Sequence, residues 1–192
     1  MNVTAIVLTA GLSRRMGEQK LLLPIDGVPM VQHTLDLIAI LPFSKRILVT
    51  VPEIAEAVQT EAEIVFNQRP ELGQSLSVRL GVFAAPVSDS LLFLTGDQPL
   101  LDAPTIHAIL AADDGESIVY PIDVDGQPKS PTLFAPRFRE ALLALQGDAG
   151  GRQIRQQFPE ACREVQIENA AALLDVDTPA EYEKIKKARE RR

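Results

Sequence analysis

The fold is decided by residues 4–20, which are TAIVLTAGLSRRMGEQK. The first six, Thr4 to Thr9, are β-branched or apolar, and this pattern predicts a strand buried on both faces. At Ala10-Gly11 the chain enters a loop that carries serine, arginine, glycine and lysine. In α/β sheets ligands bind at the carboxyl ends of the strands, so this loop is the first place to look for a site.

The composition of this loop is typical of an anion site. Gly11 allows the backbone to approach a ligand closely, and Gly17 permits a sharp turn. The backbone N–H groups of such a loop can form an anion cradle, to which Arg14 or Arg15 and Lys20 add full positive charges. We interpret the loop as a phosphate site, and the alternative is a surface loop with solvated cations.

Two familiar phosphate loops are excluded by the spacing. Five residues separate Gly11 from Gly17, and Lys20 is not adjacent to Gly17, so the P-loop pattern is absent. The G-x-G-x-x-G fingerprint of dinucleotide-binding folds is absent as well. The loop therefore belongs to a different class of phosphate site.

Length and composition bound the class of protein. The 192 residues predict a single domain, residues 1–192, with enough chain to bury a core. A hydrophobic content of 46% with 23% charged residues is ordinary for a globular protein and excludes disorder as the main state. The net charge of −7 argues against a nucleic-acid partner, but it is compatible with a small phosphate ligand held by local cations.

The cysteine count and the N-terminus indicate the compartment. Cys162 is the only cysteine, so neither an intramolecular disulfide nor a thiolate metal site can form. The apolar run from Ala5 to Ala10 has no basic flank and is too short for a signal peptide or a membrane span. We expect a cytoplasmic protein without a membrane segment.

Short apolar runs alternate with longer amphipathic ones along the rest of the chain. This alternation predicts an α/β fold with a mostly parallel sheet. Strands are predicted at 4–9, 46–51, 63–66, 90–95, 117–121, 132–134 and 164–167, with a short extended piece at 173–176. Helices are predicted at 29–41, 54–59, 73–84, 104–112, 136–145, 149–158 and 179–189. The ligand site is expected directly after Thr9, Thr95 and Val176.

Carboxylates follow two of these extended segments. Asp97 comes directly after the predicted strand 90–95, and Asp175 and Asp177 precede Thr178-Pro179. One or two carboxylates together with substrate phosphates are the usual ligands of Mg²⁺. The alternatives are an Asx turn or helix cap at Asp97, and a cap for the last helix at Asp177 or Thr178. We expect only one member of the pair, Asp175 or Asp177, to face the site.

Taken together, the motifs resemble those of the molybdenum cofactor nucleotidyltransferase-like family. Residues 10–22 match the pattern A-G-x-S-x-R-M-G-x-x-K-x-L, and residues 95–99 resemble the metal-binding segment of that family. Residues 73–81 resemble its G-x-S-x-x-x-G helix, and residues 147–152 and 174–179 resemble its C-terminal segments. The resemblance covers nearly the whole chain in order.

The resemblance implies a Rossmann-like three-layer fold of the nucleotide-diphospho-sugar transferase, or glycosyltransferase-A-like, type. It also implies transfer of a nucleoside monophosphate with Mg²⁺ as cofactor and pyrophosphate as product. Ala10-Gly11, Gln19 before Lys20 and the form of Gly96–Pro99 favour the cytidylyl subgroup, which joins CMP from CTP to a molybdopterin-type cofactor. Guanylyl relatives tend to carry Gly-Gly and an aspartate at the corresponding positions. Residues 126–132 resemble the acceptor segment of the family only loosely.

The residue roles are expectations from this resemblance and from the chemistry of two approaching anions. Arg15, Lys20 and Asp97 are the candidate catalytic residues, and Asp97 and Asp177 are the candidate Mg²⁺ ligands. The candidate nucleotide-binding residues are Thr9, Ala10, Gly11, Leu12, Ser13, Arg15, Lys20, Asn67 and Ser75.

Some polar residues of predicted helices have simpler interpretations. Ser75 and Ser77 lie near the start of the helix at 73–84 and could bind a ligand or cap the helix. His33 and His107 fall inside predicted helices and are interpreted as packing or surface residues.

Several functions are compatible with these motifs. The expected partners are a nucleoside triphosphate, with CTP favoured, a molybdopterin-type cofactor and, transiently, a molybdenum hydroxylase. The alternatives are a guanylyltransferase, a transferase with a phospholactate-type acceptor and a sugar-phosphate nucleotidyltransferase. A further alternative from another class is a chaperone that carries the molybdenum cofactor without chemistry.

Overall fold

The computed structural model describes residues 2–11 and 19–189, so Leu12, Ser13 and Arg15 of the expected site lie outside the described residues. The strands are, in chain order, β1 Val3–Leu8, β2 Pro24–Ile25, β3 Val28–Pro29, β4 Lys45–Thr50, β5 Glu63–Phe66, β6 Ser90–Thr95, β7 Ile118–Ile122, β8 Thr132–Phe134 and β9 Cys162–Gln166. The α-helices are α1 Met30–Ala39, α2 Pro52–Ala57, α3 Gln74–Ala84, α4 Ala103–Ala111, α5 Arg139–Leu143, α6 Gly151–Gln157 and α7 Pro179–Arg189. None of these helices combines the length and apolar character that a membrane crossing needs.

The main sheet has seven strands in the order β5-β4-β1-β6-β8-β7-β9. β1 pairs in parallel with β4 on one side and with β6 on the other. β8 runs antiparallel to both β6 and β7, and β9 is parallel to β7. The predicted mostly parallel α/β sheet is therefore confirmed.

Helices cover both faces of the sheet. Ile6 of β1 packs in one core with Val78 and Val82 of α3, whereas its neighbours Ala5 and Val7 belong to the opposite core, which contains residues of α1, α2 and α4. A strand that is buried on both faces has no polar side to present, which explains the apolar run Ala5–Leu8 of β1. The result is the three-layer α/β arrangement that the sequence predicts.

The position of α3 depends on a glycine that allows close packing. A Cβ atom at Gly81 would stand 2.6 Å from Cγ2 of Ile6, so the helix can approach β1 only because no side chain is present. Because α3 follows the parallel strand β5, its first turn lies at the carboxyl edge of the sheet. The start of α3 is thereby placed beside the end of β1.

The predicted elements differ from the observed ones in three places. Residues 173–176 are not a strand of the sheet, since Ala170–Leu173 form a 3-10 turn and an irregular segment follows. The helix predicted at 136–145 is a 3-10 turn followed by α5. The β2–β3 hairpin is absent from the predicted elements, although Asp26-Gly27, with φ values of 53° and 82°, is a typical pair for a tight hairpin turn.

Candidate active site

A cleft of about 600 Å³ opens at the carboxyl edge of the sheet, where β1 and β6 end. Its described lining includes Thr9-Ala10-Gly11 after β1, Gly96-Asp97 after β6 and the first turn of α3. The volume is that of a small-molecule site. Ligands of open α/β sheets bind at this edge, so topology and shape point to the same place.

The Lys20 ammonium joins two distant carboxylates at the floor of this cleft. Its Nζ donates to Oδ2 of Asp97 at 2.9 Å, to Oδ1 of Asp177 at 2.8 Å and to the carbonyl oxygen of Val176 at 2.8 Å. An ammonium has three N–H donors, so these bonds use all of them. The side chains of Lys20 and Asp97 are only 14% and 19% exposed. The structure thus brings together the cation and the acids that the sequence analysis singles out.

A 3-10 turn and one backbone hydrogen bond position Lys20, Asp97 and Asp177. Lys20 begins a 3-10 turn, Lys20–Leu22, in which Leu21 is buried in the core. The N–H group of Val176 donates to the carbonyl oxygen of Asp97 at 2.9 Å, so the C-terminal segment runs alongside the exit of β6. Asp177 therefore reaches the site without belonging to the sheet.

The cap of α7 is formed by residues other than the Asp177 carboxylate. Oε2 of Glu181 accepts hydrogen bonds from the N–H groups of Asp177 and Thr178 at 2.9 and 2.8 Å, and the N–H of Glu181 donates to Oγ1 of Thr178 at 3.3 Å. This arrangement is a capping box with Thr178 at the N-cap. The Asp177 side chain takes its hydrogen bond from Lys20 instead.

Asp97 is not a helix cap either, because Asp102 caps α4 by accepting from the N–H of Thr105 at 3.0 Å. Oδ2 of Asp97 contacts Lys20, whereas Oδ1 is buried and accepts no hydrogen bond from residues 2–11 or 19–189. A buried carboxylate oxygen without a partner is costly. Such an oxygen can act as a ligand of a cation.

The donor set fits a hard divalent cation that is only partly held by protein. Asp97 and Asp177 supply carboxylate oxygens, which Mg²⁺ prefers. In the part of the chain that the structure describes, no cluster of three or more acidic, histidine or cysteine side chains could hold a metal alone. Two carboxylates can hold Mg²⁺ when substrate phosphates and water complete the coordination.

The described lining of the cleft is poor in positive charge. Lys20 is its one cation, against the carboxylates of Glu71, Asp97, Asp148 and Asp177. An anionic ligand would be repelled by this set alone. A triphosphate therefore requires further positive charge, which a divalent ion and the arginines of residues 12–18 could supply.

The charge state of Lys20 reflects opposing effects. Burial lowers the pKa of Lys20, but the attraction of Asp97 and the hydrogen bonds to Asp177 and Asp97 outweigh this effect and leave the pKa above its ordinary value. The side chain is therefore a full ammonium at neutral pH.

The neighbouring Asp175 should make stability depend on pH. Burial raises the pKa of Asp175 to about 6, and the charges of Asp97 and Asp177 add to the rise. A folded pKa above the unfolded one means that the folded state binds more protons, so this group lowers stability as the pH rises from about 4 to 6.5. In the wild type, this group should lower the free energy of unfolding by about 2 kcal/mol across this range. In metal-free buffer we expect Asp175→Asn to abolish that decrease, measured by urea unfolding.

The difference in the free energy of unfolding between the wild type and Asp175→Asn isolates the contribution of Asp175. Other carboxyls have lowered pKa values, such as Asp114 and Asp123, whose hydrogen bonds to backbone N–H groups stabilise the charged form. Their contribution has the opposite sign and cancels in the difference between the two proteins. Parallel curves of unfolding free energy against pH for the wild type and Asp175→Asn would contradict the prediction.

Only some of the expected nucleotide-binding residues that the structure describes line the cleft. Thr9, Ala10 and Gly11 line the cleft. Asn67 and Ser75 are 1% and 3% exposed and lie outside its lining. Ser77 lines the cleft, and its Oγ accepts a hydrogen bond from Nδ2 of Asn67 at 2.9 Å. Asn67 thus orients a lining residue.

The start of α3 determines whether Ser75 or Ser77 lines the cleft, and the sequence alone does not fix that start. The N-cap is Gly73, with φ of 93°, and neither serine caps the helix. A Cβ atom at Gly73 would lie 2.4 Å from the carbonyl oxygen of Gly147, so the helix begins pressed against the Gly147-Asp148 turn. Asp148 and Gln74 join the lining through this contact, and the sequence analysis does not single out either residue.

A second cavity of about 290 Å³ adjoins the cleft, since Thr95, Gln74 and Asp148 line both. Arg152 and Arg155 of α6 also line it, and they line a third cavity of about 740 Å³ as well.

Arg155 lacks a neutralising partner among the described residues. Its Nη1 donates to Oγ1 of Thr132 at 3.2 Å, and its guanidinium lies 4.5 Å from the ring centroid of Tyr120. Within residues 2–11 and 19–189 no carboxylate forms an ion pair with Arg152 or Arg155. Burial lowers the pKa of Arg155, and the nearby charge of Arg152 contributes in the same direction. Such a pair of arginines is suited to an anionic group of a ligand.

Comparisons with known proteins match both the sequence and the fold. The family model described as "MobA-like NTP transferase domain" matches residues 5–165. A molybdenum cofactor guanylyltransferase of Shewanella amazonensis is 29% identical over 98% of this chain and 97% of its own. The purine catabolism protein PucB of Bacillus subtilis is 27% identical over 95% of both chains.

Solved structures share the fold over the whole chain. The homologue of Mycobacterium tuberculosis Rv0371c from Mycobacterium sp. strain JC1 has a TM-score of 0.86 and 26% identity, with 98% of this chain and 97% of that chain covered. Rv0371c in complex with manganese has a TM-score of 0.83 and 23% identity, with 98% and 100% covered.

Proposed function

Because the chain belongs to the family of MobA-like NTP transferase domains, and is thus a nucleotidyltransferase, we propose that it transfers CMP from CTP to a molybdopterin-type molybdenum cofactor. The observation that carries this proposal is the placement of Lys20 between Asp97 and Asp177 in the cleft where β1 and β6 end. A cation and two carboxylates at this edge are what positioning and neutralising a triphosphate require.

The reaction needs little covalent help from the protein. A phosphate oxygen of the acceptor attacks the α-phosphorus, the bond from this phosphorus to the bridging oxygen breaks, and pyrophosphate leaves in line. Two anions must approach each other while charge grows on the leaving group. Catalysis therefore depends on cations and on alignment.

Each lining segment has a role in this proposal. Asp97 and Asp177 would hold Mg²⁺, which when bound neutralises phosphate charge. The backbone from Ala10 to Ser13, with Arg15, would hold the leaving pyrophosphate, and Lys20 would neutralise the α-phosphate and the incoming phosphate. Thr9 would contact the nucleotide from the cleft wall, whereas the buried Asn67 and Ser75 would support the nucleotide pocket from outside its lining, through Ser77 in the case of Asn67.

The choice of base rests on the loop after β1. Ala10-Gly11 and Gln19 before Lys20 favour CTP. The second candidate is transfer of GMP from GTP, because several relatives of similar identity are named molybdenum cofactor guanylyltransferase. Both candidates use the same cleft and the same acceptor.

A panel of triphosphates tests the proposal. Pyrophosphate release is measured with CTP, GTP, ATP and UTP, each with Mg²⁺ and with or without the molybdopterin cofactor. We expect release with CTP to exceed release with GTP by about tenfold or more, and to depend on the acceptor. Preference for GTP would favour the second candidate. Tight cofactor binding without release from any triphosphate would indicate a carrier that performs no chemistry.

Arg155 is expected to serve the acceptor rather than the nucleotide. Because its guanidinium lines the adjoining cavity and no described carboxylate neutralises it, Arg155→Met should raise the KM for the acceptor about tenfold. The KM for the triphosphate should stay within about twofold of the wild-type value.

Two variants control this experiment. Arg137→Met removes an exposed guanidinium that lines none of the cavities described above and should leave both KM values unchanged. Arg155→Lys retains the charge and should recover part of the acceptor affinity. A rise in the KM for the triphosphate with an unchanged KM for the acceptor would contradict the assignment.

A further inference from the structure

The contacts of Lys20 conflict with its role in the proposed reaction. All three N–H donors of the ammonium are bonded to Asp97, Asp177 and the carbonyl group of Val176, so none is left for a phosphate. The oxygens Oδ2 of Asp97 and Oδ1 of Asp177, which are the proposed metal ligands, already accept from the same ammonium. The proposed reaction therefore requires these contacts to be exchanged.

We propose that the Lys20 ammonium takes the place of the divalent ion between Asp97 and Asp177 in the nucleotide-free enzyme and moves to the triphosphate when ion and nucleotide bind together. This inference rests on the proposed function, because that function supplies the ion and the triphosphate. It assigns Lys20 two positions, one on the carboxylates and one on the phosphates.

Electrostatics require a cation between the two carboxylates in both states. The side chain of Asp97 is 19% exposed and that of Asp177 is 48% exposed, so solvent screens their repulsion only in part. Removing the partner of a partly buried charge is destabilising. When the ammonium leaves, a divalent ion restores the balance of charge at Asp97, the more buried of the two carboxylates.

The unpartnered oxygen of Asp97 shows that the ammonium does not use the full capacity of the site. Oδ1 is buried and takes no hydrogen bond from the described residues, while Lys20 has no donor left to offer it. A divalent ion has more coordination positions and more charge than an ammonium. The site therefore has an oxygen that only a different occupant can satisfy.

Exchange predicts cooperation between metal and nucleotide. An ion that binds alone must displace an ammonium that then loses three hydrogen bonds. When a triphosphate is present, its oxygens offer the ammonium new acceptors, so metal binding becomes easier. Such coupling is reciprocal, and the metal must strengthen nucleotide binding by the same factor.

Titration with Mn²⁺ in the absence of nucleotide tests the exchange directly. Calorimetry compares the wild type with Lys20→Met, which keeps the apolar stem and removes the competing charge. We expect Lys20→Met to bind Mn²⁺ about tenfold more tightly than the wild type. The double variant Lys20→Met/Asp97→Asn should lose this gain, and Lys45→Met, which removes a surface ion pair with Glu63, should match the wild type. Equal or weaker binding by Lys20→Met overturns the proposal.

A measurement on the wild type keeps the test valid if Lys20→Met fails to fold. The side-chain ¹H–¹⁵N signal of the Lys20 ammonium is followed by NMR, with Lys20→Arg for assignment, as Mg²⁺ and a non-hydrolysable CTP analogue are added. We expect this signal to shift when both are present, and Mg²⁺ to tighten binding of the analogue. A signal that does not move when both are saturating overturns the proposal.

The two hypotheses fail in different ways. Neither titration needs the acceptor or turnover. Metal binding that follows the expected pattern, combined with no pyrophosphate release from any triphosphate, supports the exchange and refutes the proposed reaction. Pyrophosphate release from an enzyme whose Lys20→Met variant gains no metal affinity supports the reaction and refutes the exchange.

Discussion

Asp97→Asn is expected to lower pyrophosphate release by about three orders of magnitude or more while leaving the fold intact. The carboxylate lies directly after β6 and accepts a hydrogen bond from Lys20 through Oδ2. Its other oxygen, Oδ1, is buried and has no hydrogen-bond partner among the described residues. An asparagine keeps the shape and one acceptor but removes the charge. It also places an amide donor near an ammonium or a metal, where only acceptors are useful.

The control for this experiment is Asp125→Asn, the same substitution in an exposed turn outside the cleft. This variant should release pyrophosphate at the wild-type rate. Near-ultraviolet circular dichroism and the midpoint of thermal unfolding report whether either protein has lost its tertiary packing. Full activity in a folded Asp97→Asn protein would remove Asp97 from the metal site.

The sequence was sufficient to predict the edge of the sheet where the candidate site and its cleft lie. β1 and β6 are buried on both faces almost throughout, so their apolar runs, Ala5–Leu8 and Leu91–Leu94, are easy to recognise. Parallel neighbours end at the same edge, and this rule alone brings Asp97 toward the loop after β1. These features depend on local patterns and one topological rule.

Other parts of the site depend on contacts that no local pattern contains. Asp177 rather than Asp175 accepts the hydrogen bond from Lys20, and this contact depends on the path of an irregular segment that the hydrogen bond from the Val176 N–H to the Asp97 carbonyl holds beside β6. That Ser77 rather than Ser75 lines the cleft follows from where α3 begins, which Gly73 sets by its contact with another turn.

The arginines of α6 illustrate the same limit. Arg152 ends the segment 147–152 that resembles the family, and Arg155 lies beyond that segment. That both line the second cavity depends on how α6 packs on the sheet. A guanidinium without a described carboxylate partner is a property of the folded chain. Sequence spacing can suggest which residues are cationic, but only the packing shows which of them lack neutralisation.

Lys20→Met should lower turnover by about one to three orders of magnitude at saturating metal and triphosphate. The methionine retains an apolar stem but offers no charge to the phosphates during bond exchange. If the lysine held the carboxylates only as a structural ion pair, the loss would appear in the midpoint of thermal unfolding, and turnover of the folded fraction would be normal. If it stabilises the transition state, kcat falls even when the ion has filled the site between Asp97 and Asp177.

Lys45→Met is the matched control, since it removes an ammonium paired with Glu63 on the surface and should leave kcat unchanged. Together with the metal titration, the kinetic result separates the two positions of Lys20. A variant that binds Mn²⁺ more tightly and turns over more slowly is explained only if the same ammonium competes with the metal before catalysis and assists the phosphates during it. An unaltered kcat in the folded Lys20→Met protein would exclude the ammonium from the chemical step.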